Sequence, residues 1–191
     1  MEKGHIEIFT DGSSLGNPGP SGYGFILRYW EPIKDDNQSS VIKEIEGYEG
    51  FRLSTNNRME LMAGIKGLCY ILDHMYENYM LSVNYIDLTT DSKYFCDTIN
   101  KGWIYQWQRN NWVTSSQMTV KNRDLWELIL KAQKLFHQFN IKLKIIHIPG
   151  HQGYEFNERA DKLCTAASRD SKNHLIDEVY EESVKNKNKR G

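Results

Sequence analysis

The sequence predicts an α/β protein, a mixed β-sheet with helices packed on it. Three observations carry this reading. Apolar residues alternate in some segments and recur at helical spacing in others, in the order β-β-β-α-β-α-α-β-α. The first three strand candidates are joined by short polar connections, as in an antiparallel meander. At 191 residues the chain is most simply one domain, able to bury a core without disulfides or structural metal.

The first strand centres on Ile6-Glu7-Ile8-Phe9, with Ile6 and Ile8 on one face, and ends at Asp11. A turn-rich loop follows, with Gly12, Gly16, Asn17, Pro18, Gly19 and Pro20. Residues 23–29 are apolar and aromatic and read as a second strand. Residues 31–40 are polar and read as a hairpin loop, and 41–51 as a third strand. Ser54-Thr55-Asn56-Asn57 is rich in helix-capping types. Leu61, Ile65, Leu68 and Leu72 then give helical spacing over residues 59–75, which places Glu60 in the first helical turn.

Residues 85–90 alternate and stop at Asp91, a second acid at a strand end. A helix follows from Ser92 through Ile99. Residues 103–120 carry Trp103, Trp107 and Trp112 without a clean period. Leu125, Leu128, Ile129, Ala132, Leu135, Phe136 and Phe139 predict a helix, residues 141–148 a strand, and residues 157–168 a helix bearing Asp161. Beyond Arg169 the chain turns polar and ends in a basic, low-complexity run. Residues 169–191 are therefore expected to form a flexible tail.

Composition narrows the functional classes. Hydrophobic residues make up 39% and charged residues 26%, ordinary for a globular protein. The net charge of −1 leaves any polyanion site to a local patch. Cys69, Cys96 and Cys164 are far apart and contain no CxxC pair, which suggests neither a zinc site nor a disulfide framework. No run approaches the length of a membrane span and no apolar signal core opens the chain. The expectation is a cytoplasmic protein with no membrane partner, and a monomer.

Asp11 and Asp91 end predicted strands, the edge where ligand sites of α/β sheets gather. Glu60 and Asp161, at helical positions, would complete a cluster of four acids. Carboxylates that close repel and raise one another's pKa. Divalent cations relieve this, and oxygen ligands suit Mg²⁺, with Mn²⁺ as a substitute. Two such ions about 3.5–4 Å apart clamp a phosphodiester during in-line attack.

The motifs then point to a family. Thr10-Asp11-Gly12-Ser13 with Gly16-Asn17-Pro18-Gly19-Pro20, Thr55-Asn56-Asn57-Arg58-Met59-Glu60-Leu61, Thr89-Thr90-Asp91-Ser92, and Gly150-His151-Gln152-Gly153 followed by Asn157-Glu158-Arg159-Ala160-Asp161 resemble the four motifs of the type 1 ribonuclease H family, in that family's order. The resemblance implies a five-stranded mixed sheet of the ribonuclease H fold, three antiparallel strands then two parallel, with helices on both faces. It also implies hydrolysis of the RNA strand of RNA–DNA hybrids by two Mg²⁺ ions held on Asp11, Glu60, Asp91 and Asp161, giving 5′-phosphate and 3′-hydroxyl ends. His151 would assist proton movement or product and metal release. Asn17, Thr55, Asn56 and Asn57 would contact the substrate backbone, and Lys93, where an amide is common, would add a phosphate contact. Residues 1–168 would form the catalytic domain.

Residues 100–123 resemble the family's substrate-handling protrusion. Trp103, Trp107 and Trp112 are read chiefly as packing it onto the domain, with a DNA-sugar contact from Trp103 or Trp107 as a further role. This stretch holds four basic residues, Lys101, Arg109, Lys121 and Arg123, with Gln and Asn where relatives are lysine-rich. Fewer cations release fewer counterions. Weaker hybrid affinity and a shallower salt dependence than a lysine-rich relative are expected, and a steeper slope of log K against log salt would count against this.

Rival readings are a catalytically silent binding module, an interaction subunit acting through the tail, and a domain cut from a reverse transcriptase polyprotein. All four acids remain, the tail has no periodic apolar pattern, and a methionine shortly precedes the first strand, so a stand-alone enzyme is expected.

Overall fold

The computed structural model describes residues 4–32, 39–75 and 83–189. Strands β1 (Gly4–Ser14), β2 (Gly19–Pro32) and β3 (Ser39–Ser54) form the antiparallel meander. Helix α1 (Asn56–Asp73) leads to β4 (Val83–Thr90). Helices α2 (Lys93–Asn100), α3 (Trp103–Arg109) and α4 (Arg123–Gln138) precede β5 (Lys142–His147), and α5 (Glu155–Arg169) and α6 (Glu178–Asn188) end the chain. The sheet order is β3-β2-β1-β4-β5, with β1, β4 and β5 parallel. The mixed five-stranded sheet expected from the sequence is the sheet observed. The expected hairpin loop at 31–40 is largely outside the described residues. Its flanks at 31–32 and 39–40 extend β2 and β3.

Alternation along β1 divides the layers. Ile6 and Ile8 are fully buried on the side where α1 packs. Phe9 points the other way, its ring 5.2 Å from that of Phe156 on α5. Helix α5 lies so close to β2 that a Cβ on Gly24 would stand 2.6 Å from the Ala160 carbonyl oxygen, so only glycine fits there. Trp126 of α4 is fully buried, with Tyr94, Phe95 and Trp107 around it edge-on.

Three local expectations are corrected. Asp11 does not end its strand: β4 leaves β1 at the Thr10–Thr90 pair, but antiparallel pairing with β2 continues from Asp11–Gly24 to Ser14–Ser21. Glu60 is not in the first helical turn, because α1 begins three residues earlier than its apolar stripe. Its carboxylate therefore depends on side-chain partners rather than on the helix dipole.

The third correction concerns the tail. Residues 177–188 are not a flexible extension. Asp177 caps α6 by accepting the Tyr180 amide at 3.2 Å and is buried. Its carboxylate takes Arg58 Nε at 2.7 Å and Ser54 Oγ at 2.7 Å, while Glu181 takes Arg52 Nη2 at 2.6 Å. Just upstream, Leu175 exchanges backbone hydrogen bonds with Gly50 and Arg52 of β3. The cations that hold this segment lie more than a hundred residues away in sequence, so its polar composition read as solvated.

Candidate active site

Asp11 sits where the sheet changes from antiparallel to parallel pairing. Its Oδ1 accepts the Gly12 amide at 2.7 Å, and only 7% of the residue is exposed. At Gly12 the strand meets α1 so closely that a Cβ would overlap the Glu60 backbone nitrogen. This contact brings Glu60 beside Asp11. Glu60 accepts Asn56 Nδ2 at 2.7 Å on Oε1 and the Ser92 hydroxyl on Oε2. Ser92 also caps α2 and follows Asp91 directly, so one residue ties the second acid to the third. Asp161, on the inner side of α5, completes the group from the other face of the sheet. One carboxylate oxygen each from Asp11 and Asp161 and the Cys164 sulfur lie within 4.8 Å of one another.

The electrostatics follow from this crowding. Burial, the neighbouring Asp91, Asp161 and Glu60 push the Asp11 carboxyl up to about 8, against the lowering effect of the Gly12 amide. Burial and Asp91 push Glu60 up to about 7, although the bonds from Ser92 and Asn56 favour its charged form. Among the described residues, no lysine or arginine forms an ion pair with any of the four acids. Buried and half-buried, mutually repelling oxygen donors without an ion-paired countercharge among the described residues fit hard divalent cations.

A cavity of about 580 Å³ opens beside the acids, lined by Asn57, Glu60, Asp91, Ser92, Lys93, Tyr94, His147, Pro149 and Gly150. Asn57 and Lys93 are exposed on its wall. Asn17 Oδ1 accepts the Asn56 amide at 3.3 Å, which joins the loop after Asp11 to the start of α1. Thr55 is the N-cap of α1 but makes no side-chain capping bond. His151 is exposed at φ 54° on the loop after β5, next to Gly150 at the cavity wall.

Trp103 and Trp107 lie outside this cavity. Trp107 is half-buried against Trp126, while Trp103 is 38% exposed with the Lys101 ammonium 5.2 Å from its ring. Trp112 is buried, in line with a packing role. Reading motifs as acids alone overlooked Ser92, Arg58 and His147. The first two stand inside quoted motifs, so position was a usable signal. His147, whose Nε2 lies 3.2 Å from the Asp91 carbonyl oxygen, had only its strand phase.

A mixed sheet with a carboxylate nest drawn from β1, the residue after β4 and two helices, open to a groove, defines an α/β protein whose donor set is of the nuclease type. The chain belongs to the RNase H family, whose model matches residues 3–169. It is 43% identical over 164 residues to a Ribonuclease H of Aeromonas salmonicida, covering 86% of this chain and 90% of the relative. A Ribonuclease H of Rippkaea orientalis is 40% identical over 176 residues, covering 92% of each. The crystal structure of LC9-RNase H1, a type 1 RNase H with the type 2 active-site motif, superposes with a TM-score of 0.68 at 25% identity, covering 96% of this chain and 82% of that one. The fold is also that of LC11-RNase H1, determined in complex with RNA/DNA hybrid (TM-score 0.53, 24% identity, covering 85% and 95%). Among the described residues no helix is long and apolar enough to cross a membrane.

Proposed function

We propose that this protein is an endoribonuclease that hydrolyses the RNA strand of RNA–DNA hybrids, leaving 5′-phosphate and 3′-hydroxyl ends. The observation that carries the reading is the meeting of Asp11, Glu60, Asp91 and Asp161 in one nest with no paired lysine or arginine among the described residues. Its family membership and the Ribonuclease H relatives support it. The catalytic unit is assigned to residues 1–168, with 100–123 as its protrusion.

The four acids would hold two Mg²⁺ ions, or Mn²⁺ in their place, which supply a water of lowered pKa and offset charge developing on the phosphate. The protein's share is positioning. Asn56 and Ser92 hold the Glu60 carboxylate from both oxygens, and the Gly12 amide turns one oxygen of Asp11. Asn17, Thr55, Asn56, Asn57 and Lys93 contact phosphates and sugars, which orients the duplex without reading base sequence. Contacts to 2′-hydroxyls select the RNA strand. Trp103 and Trp107 chiefly pack the protrusion, and one of them is assigned a further contact to the sugars of the DNA strand.

The test is cleavage of labelled hybrid in Mg²⁺ beside an Asp91→Asn variant and an EDTA control. Cleavage confined to hybrid RNA, and lost in both controls, is expected. Binding without cleavage would make this a silent module. His151, exposed on its loop, assists proton movement or product and metal release rather than holding substrate. His151→Ala should therefore slow turnover by about a hundredfold with nearly unchanged hybrid affinity. A large loss of binding in a gel-shift titration would reassign it.

A further inference from the structure

Among the described residues β5 is an edge strand, and two cavities flank its start, far from the acid nest at its other end. The one on the helix side, about 780 Å³, is lined by Tyr105 of α3, by Leu130, Lys134 and His137 of α4, and by Ile141. The one on the opposite face, about 680 Å³, is lined by Tyr85, Asp87 and Lys144. Asn140, Lys142 and Leu143 line both. The backbone between the cavities has a free outer side. Ile148 N–H donates to the Thr90 carbonyl oxygen at 3.1 Å, so every second residue back from Ile148 turns its backbone groups to β4. The residues between them, Leu143 and Ile145, turn theirs to the edge. There the Ile141 N–H donates to the Phe136 carbonyl oxygen at 2.9 Å, and the Ile145 carbonyl oxygen accepts Asn100 Nδ2 at 3.0 Å. The N–H and C=O of Leu143, between these two, have no protein partner among the described residues.

We propose that β5 accepts an extended acidic segment of a partner protein as an added strand at Leu143. Successive side chains of a strand point to opposite faces, so those of the guest enter the two cavities in turn. On the helix side Leu130, Ile141 and Leu143 form an apolar floor, which selects apolar side chains. Lys142 and Lys144 are exposed on the opposite face, in register with Tyr85 and Asp87, and select acids. The guest is thus defined as a stretch in which acidic and apolar residues alternate. The two cavities together are lined by three lysines and a histidine against one acid, Asp87. None of these lysines forms an ion pair among the described residues. The same lysines exclude a second copy of the chain, which would set Lys142 and Lys144 against themselves. The site shares no residue with the acid nest or with the assigned substrate contacts, so it holds whether or not the protein cleaves hybrids.

The test is fluorescence anisotropy on the full chain with a labelled short peptide that alternates glutamate and valine. Binding is expected, and none for a peptide alternating lysine and valine. No binding of the acidic peptide up to about 1 mM overturns the proposal. Methylating the peptide's backbone nitrogens on the set that faces β5 should weaken binding about tenfold, while methylating the other alternate set should leave it within about twofold. Equal effects of the two sets overturn strand addition. The Lys142→Glu, Lys144→Glu double variant should also bind about tenfold more weakly, and unchanged binding overturns the selection of acids. Leu143→Pro removes the edge N–H and spares the ladder to β4, so it should match the loss from methylation. Because methylation alters only the peptide, the proposal stays falsifiable if that variant does not fold. If RNA–DNA hybrid displaces the peptide and both methylated peptides bind like the parent, the lysines form a phosphate surface and the proposal fails.

Discussion

Asp11→Asn should abolish hybrid cleavage and at the same time stabilise the metal-free protein. Loss of the central acid is expected to cost at least about a thousandfold in turnover, since the metals and the reacting phosphate both depend on it. The stability gain has a separate cause. The folded-state pKa of Asp11 lies near 8, above the ordinary carboxylate range of the unfolded chain. The unfolded state therefore ionises first, at around pH 4, and stability contributed by this group is lost as pH rises from there toward 8. Asparagine removes the buried charge and with it that slope. At pH 8 without metal, a gain on the order of 1–3 kcal/mol is expected, or a rise of roughly 3–10 °C in melting temperature. Saturating Mg²⁺ should narrow the difference, because only the wild type gains binding energy from it. Melting curves at pH 5 and pH 8, with and without Mg²⁺, check this. A metal-free variant that melts below the wild type at pH 8 would show that the nest is not strained by its own charge.

The second large effect is expected at Arg58, which lies in the motif beside Glu60 but faces away from the chemistry. Its side chain is only 4% exposed and serves two carboxylates at once. Nη1 and Nη2 reach Asp124 at 2.9 and 2.8 Å, and Nε and Nη2 reach Asp177 at 2.7 and 3.0 Å. One guanidinium thus joins α1, the first turn of α4 and the cap of α6. Arg58→Ala would leave Asp177 buried without a cation, and breaking one side of such a network costs about 3–5 kcal/mol. Lysine cannot span both carboxylates and should recover little of the loss. Denaturant unfolding followed by circular dichroism gives the value. A loss below about 1 kcal/mol would mean that the network is no stronger than a surface pair. Asp177→Asn, which keeps the size of the cap but weakens the pairing, should lose less than Arg58→Ala.

The two sites show what could be read from the linear chain. The alternation at Ile6 and Ile8, the helical stripe from Leu61 to Leu72, and the spacing from Leu125 to Phe139 depend on local periodicity, and each became the element expected. Asp11, Glu60, Asp91 and Asp161 were legible because each sits in a short motif. Their meeting was inferred from resemblance rather than from spacing. The registers that bring them together were not legible: Asp11 opposite Gly24, and β4 leaving β1 at Thr10–Thr90. The C-terminal segment was misread as a free tail because its polar residues carry no sign of Arg52 and Arg58.

Periodicity and motif chemistry alone determined the class of fold and the order of its elements apart from α3 and α6, and singled out the four acids and the histidine on its loop. Tertiary structure alone decided which oxygens Ser92 and Asn56 hold, that Arg58 anchors the last helix, and that Cys164 stands among the carboxylates. The division has one physical cause. Backbone preference and amphipathic pattern act over a few residues, whereas a buried charge or a metal ligand is set by whichever distant side chains share its low-dielectric surroundings.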